Sequence, residues 1–218
     1  MAAMPKKVVI PLAALLCVAS ATAAAYAFGF PPFERRGDIR ASDVCESLGK
    51  SAKVVPALKG SLPSEPGYKF DDRLDGRDIT QGASDYTADC LVWGEGRVLL
   101  SARTEMMLTE TAENMGSETY DVRDWAKEAL NVRESDIKSF TAGTRGVNVA
   151  RKAAILVPCA SPGHIPGGTY SLSVVVDLRK HEGSGKPEVR QDLIDLAINA
   201  ARFSHQKAKC DLPSRLPG

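Results

Sequence analysis

A run without charge restricts this chain more than any other feature. From Val8 to Phe33 there is no Asp, Glu, Lys or Arg, with Lys6-Lys7 before it and Glu34-Arg35-Arg36 after it. Such a run exceeds the roughly 18–20 apolar residues that cross a bilayer as a helix. Lys6 and Lys7, joined by the α-amino group, place the N-terminus on the cytoplasmic side by the positive-inside rule. Arg35 and Arg36 pull the other way, but Glu34 stands beside them. The expected layout is a cytoplasmic N-terminus over 1–7, a signal anchor or signal peptide over 8–33 and a linker over 34–41. An extracytoplasmic domain follows over 42–218.

Two processing outcomes fit this segment. Ala25-Tyr26-Ala27 and Ala19-Ser20-Ala21 suit signal peptidase, and cleavage there would release a secreted domain. The apolar run continues through Phe28, Phe30 and Phe33, longer than a signal-peptide core of roughly 7–15 residues. That length favours an uncleaved, single-pass anchor in the cell membrane. Cys17 follows Leu16, where a lipoprotein signal needs a small residue, so Cys17 reads as a small apolar membrane residue.

Beyond Glu34 the chain suits one domain of ordinary size. The formal net charge is +1, with no long basic or acidic block, which argues against a nucleic-acid surface. Four cysteines fall in this part: Cys45, Cys90, Cys159 and Cys210. An even number in an oxidising compartment predicts two disulfides. No cysteine pair has the close spacing of a zinc knuckle, and His164, His181 and His205 do not cluster with them, so no metal is expected. A Cys-x-x-Cys redox motif is also absent. Spacing leaves all three pairings open.

The hydrophobic pattern predicts an α+β fold, an antiparallel sheet covered by N- and C-terminal helices. Ser42-Asp43 starts a first helix carrying Val44, Leu48, Ala52 and Val55, which Pro56 stops; 57–85 reads mostly as loop. Tyr86–Trp93 and Arg97–Leu108 read as a hairpin across Gly94-Glu95-Gly96. A short helix is expected over Asp121–Asn131, and strands over Arg145–Val149, Lys152–Pro158 and Tyr170–Leu178. Ser161–Gly168 is turn-rich, and a long helix runs from Pro187 to about Lys207.

With Cys45 in the first helix and Cys90-Leu91-Val92-Trp93 in the first strand, the chain resembles a group of actinobacterial exported proteins of unknown function, many of them lipoproteins. The resemblance spans about residues 42–178 and implies a Cys45–Cys90 disulfide that pins helix to sheet. Cys159 and Cys210 are then left to join the end of the sheet to the end of the long helix. It implies no activity.

Chemical motifs are few. Gly49-Lys50-Ser51 ends like a phosphate-binding loop, but Val44 stands where that motif needs Gly. Asp71-Asp72-Arg73-Leu74-Asp75-Gly76-Arg77-Asp78 resembles a calcium loop, yet Arg73 takes a ligand position and no Glu closes it. It reads as a solvated acidic-basic loop. His164, among Pro162-Gly163 and Pro166-Gly167, is a loop histidine that reads as polar surface, with a base or ligand as the functional alternative. Arg36-Gly37-Asp38 is a chance integrin-type tripeptide, and Trp93 and Trp125 read as core. No catalytic residue, cofactor or ligand-binding residue is assigned. Three functions fit: an anchored interaction module for a cell-envelope protein, a carrier of a small apolar ligand between sheet and helix, and an enzyme assembled from distant residues. The carrier's mouth would be the loops at 57–85 and 159–169. The interaction module fits best, with no catalysis expected.

Overall fold

The computed structural model describes residues 36–49, 52–111, 121–179 and 186–218. The apolar segment at 8–33, Cys17 and His181 lie outside these. Among the described residues no helix is long and apolar enough to cross a membrane. Seven strands form one antiparallel sheet: β1 (Lys69–Asp75), β2 (Thr87–Gly94), β3 (Arg97–Thr111), β4 (Lys138–Phe140), β5 (Arg145–Val149), β6 (Lys152–Ala160) and β7 (Gly168–Leu178). Their spatial order is β1-β2-β3-β7-β6-β5-β4. Among the described residues three α-helices accompany them: α1 (Val54–Ser61), α2 (Val122–Leu130) and α3 (Pro187–Lys207). The architecture is α+β.

Strand periodicity decides which residues meet. On β7, Leu172, Val174, Val176 and Leu178 face the main core, while Ser173 and Val175 face the other side. β6 is central and buried on both faces, so Ala153, Ile155 and Val157 enter the main core and Ala154 and Leu156 the second. α3 lays Val189, Leu193, Leu196, Ala197, Ala200 and Ala201 on the sheet. Leu58 of α1 and Leu193 and Leu196 of α3 are fully buried together with Leu100 of β3. The β2–β3 hairpin turns through Glu95 (φ 47°) and Gly96 (φ 76°), both in the left-handed region that such a two-residue turn requires.

α1 and α3 share one face of the sheet, so the expected cover of N- and C-terminal helices describes that face alone. α2 takes part of the opposite face, where Trp125, Ala126 and Leu130 meet Val147, Ala154 and Leu156. Trp125 Nε1 donates to Ser173 Oγ at 2.9 Å, which satisfies a buried donor. Further along that face, across β1 to β3, the side chains are Asp71, Arg73, Asp89, Arg103 and Glu105, linked by exposed ion pairs of 3.1–3.8 Å. This half is a polar surface among the described residues.

Four expectations are corrected. The first helix does not run from Ser42 to Val55. A 3-10 turn (Glu46–Leu48) comes first, and α1 starts at Val54 with Pro56 inside its first turn, where a missing N–H costs nothing. Residues 57–85 hold the end of α1, strand β1 and a 3-10 turn (Ile79–Gln81), so they are not mostly loop. The calcium-like stretch is chiefly β1, whose charged residues mark an exposed edge strand. Trp93 is half-buried on the polar face and is not a core residue; Trp125 is.

Candidate functional site

A groove opens on the helix-bearing side. One wall is the segment Ala41–Gly49 with Val54 and Val55 from the start of α1; the other is the last turns of α3. Two neighbouring hollows meet at Glu46 and Gly49: one of about 880 Å³ lined by residues between Ala41 and Val55, and one of about 480 Å³ that adds the last turns of α3. The groove's apolar lining comes from half-buried Val44, Val55 and Phe203, and its polar rim from Glu46, Arg202 and Lys207. Glu46 Oε1 lies 3.9 Å from Lys207 Nζ, an exposed pair of little energetic weight. Arg202 donates to Pro217 O at 2.6 Å and to Asn199 Oδ1 at 3.4 Å, which fixes its guanidinium at one end.

Long-range ties hold the first wall in place. Cys45 and Cys90 form a disulfide between this wall and β2, with Cα atoms 5.9 Å apart. Asp72 of β1 accepts from Glu46 N at 2.7 Å and from Ser47 Oγ, which satisfies the start of the 3-10 turn. Gly49 closes that turn at φ 80°, and a Cβ there would stand 3.2 Å from Asn199 O of α3. A side chain at this position would meet both strain and a wall. Lys50 and Ser51 of the phosphate-loop-like triplet lie outside the described residues.

A second constellation sits where the chain leaves α3. Cys159 and Cys210 form the other disulfide, with Cα atoms 4.4 Å apart. Asp211 N and Leu212 N both donate to Cys159 O, at 3.0 and 3.1 Å. Asp211 accepts from Ser161 N at 2.9 Å and from Ser161 Oγ, and its Oδ2 lies 3.2 Å from His164 Nδ1. Burial alone would push the Asp211 carboxyl up, but the Ser161 hydroxyl and amide, with His164, outweigh it and leave the group below its ordinary value. A carboxylate does therefore stand beside His164, but it is 30% exposed. Ser161 donates to the aspartate and not to the imidazole, so the order is not that of a Ser-His-Asp triad. The set fastens the β6–β7 loop to the C-terminal tail.

The other singled-out residues are engaged locally. Asp78 meets Lys209 Nζ at 2.8 Å and accepts from Thr80, and these bonds pull its carboxyl down to about 2. Asp71 pairs with Arg73, and among the described residues no cluster of His, Cys, Asp or Glu is arranged to hold a metal. In Arg36-Gly37-Asp38, Arg36 bonds Tyr68 and Leu62 O, and Asp38 pairs with Lys59 at 3.0 Å. Of the loops at 57–85 and 159–169, the 78–82 turn and the start of the second loop bond to the tail, through Ile79 N to Ala208 O and through Cys159. The space between sheet and α3 is filled by Leu172, Val174, Leu193 and Leu196. Sequence reasoning missed the groove because Phe203 and Val55 are far apart in the chain and each reads as ordinary helix surface. No family model, curated protein or solved structure matches this chain.

Proposed function

We propose that the protein is a membrane-anchored extracytoplasmic binding module whose occupant lies in the groove between Ala41–Gly49 and the end of α3. The groove itself carries this reading. The two hollows, of about 880 and 480 Å³, each lie within the range of about 300–1,000 Å³ common to small-molecule sites; the larger is lined by Val44, Val54 and Val55, and the smaller adds Phe203, Arg202 and Lys207. Val44, Val55 and Phe203 suit a hydrocarbon portion, and Arg202 and Lys207 suit an acidic head. The favoured occupant is thus a small amphiphile with an acidic group, held on the outside of the helix layer and not between helix and sheet. The apolar run at 8–33 supports the anchor, and the two disulfides support residence in an oxidising compartment. The interaction-module reading keeps support from the polar β1–β3 face, with its exposed Arg103, Asp89 and Glu105.

The test is a titration of the full-length protein in lipid nanodiscs with a fluorescent fatty acid, alongside Val44→Asp and Val55→Asp. The expected result is saturable one-site binding that each variant weakens by about tenfold or more, the equivalent of about 1.4 kcal/mol. Absence of saturable binding, or equal binding by both variants, would contradict the groove as the site.

A further inference from the structure

We infer that the edge formed by Tyr68, Lys69 and Trp93 rests in the phospholipid headgroup layer and fixes the attitude of the domain on the membrane. The inference rests on the reading that 8–33 is a retained membrane anchor. Two residues, Glu34 and Arg35, separate Phe33 from Arg36, so three residue steps span about 10 Å even when fully extended. The headgroup layer is itself roughly 5–8 Å thick on each side of the apolar slab. Whatever the domain holds against residues 36 and 37 therefore lies in the headgroup layer or within a few Å of it.

The structure fixes what that is. Gly37 N donates to Glu65 O at 2.7 Å, and a Cβ on Gly37 would stand 2.7 Å from Pro66 O, so the backbone runs flush against Glu65–Gly67. Arg36 donates to Tyr68 Oη at 3.1 Å and to Leu62 O at 3.2 Å, with its guanidinium 6.0 Å from the centre of the tyrosine ring. The buried Glu65 carboxylate meets Arg97 at 2.7 Å, which draws the tip of the β2–β3 hairpin to the same point. Lys69 is paired with Trp93 across β1 and β2. Between Tyr68, Lys69, Trp93 and the hairpin turn lies a shallow hollow of about 490 Å³.

The chemistry of this edge matches that position. Tyr and Trp concentrate at membrane–water interfaces, where an apolar ring with a polar end is satisfied on both sides. The exposed Lys69 extends its charge among phosphates while its stem lies along the apolar boundary. Glu95 at the hairpin turn suits the cationic portion of a zwitterionic headgroup. Trp125, by contrast, is buried against Ser173 in the second core and serves as an internal reference.

Full-length protein reconstituted in phosphatidylcholine–phosphatidylglycerol vesicles, with and without acyl-brominated lipid, tests the inference after flotation of the vesicles. The expected result is that the protein floats and bromolipid quenches its tryptophan emission. The Trp93→Phe variant, with an unchanged far-ultraviolet circular dichroism spectrum, floats equally and shows no quenching. Flotation with Trp93 unquenched would overturn the headgroup contact and leave the anchor standing. Failure to float would overturn both.

Discussion

Asp78 joins two pieces of the chain through its carboxylate. It caps the turn at Ile79–Gln81 and reaches Lys209 beyond α3 at 2.8 Å. Its carboxyl, held at about 2 first by Lys209 and then by Thr80, lies well below the ordinary value of about 3.9. A depressed carboxyl contributes stability that is complete above its unfolded value and is lost as pH falls through the folded one. Asp78→Asn is therefore expected to melt at lower temperature than the parent above about pH 4, with the gap closing by about pH 2. Thermal melts across that range check it. At the second core, Trp125→Phe keeps most of the apolar contact but removes the donor to Ser173 Oγ. A cost of about 1–3 kcal/mol is expected in chemical denaturation, since a buried hydroxyl loses its partner. Little of this was legible in the sequence. Asp211 and His164 are remote along the chain, and the disulfide beside them, with the bonds of Asp211 to Cys159 and Ser161, brings them within 3.2 Å.

At the scale of elements, legibility followed burial. The α3 stripe and the alternation of β7 were read nearly to their ends because one face of each is dry. β1 was missed because the edge strand Lys-Phe-Asp-Asp-Arg-Leu-Asp has no apolar period, and its pairing with β2 supplies what local pattern lacks. β4 spans Lys138–Phe140, too short to show a period. The proline at 56 misled for a positional reason: it is tolerated in a first turn, and it reads as a stop signal only when the helix is assumed to precede it. The disulfides act at this scale too. Their sequence separations of 45 and 51 correspond to about 4 kcal/mol each in the chain-entropy view. Replacing Cys45 and Cys90 together by Ser is expected to lower unfolding free energy by about that amount. The same double variant should weaken fatty-acid binding, because Cys45 holds a wall of the groove. Cys159→Ser with Cys210→Ser should lower stability similarly while leaving that binding intact, since the second disulfide lies at the tail. Denaturation and titration of the two double variants separate these roles.

For the whole molecule, the sheet divides the surface into faces of different character. The helix-bearing face carries the groove, the β1–β3 half of the other face carries charge, and the edge beside Arg36 carries Tyr68 and Trp93. Fold class was within reach of the sequence because it depends on counting buried elements. The groove was not, because it depends on where two distant surfaces stop touching. The account depends most on the domain being exported with Cys45–Cys90 and Cys159–Cys210 closed. Cells expressing the full-length protein, quenched in acid and treated with a maleimide–polyethylene glycol tag under denaturing conditions before and after reduction, test this directly. The account predicts at most one tag before reduction, on Cys17, and four more afterwards on Cys45, Cys90, Cys159 and Cys210. Tagging of those four cysteines without reduction would contradict it and place the domain in a reducing compartment.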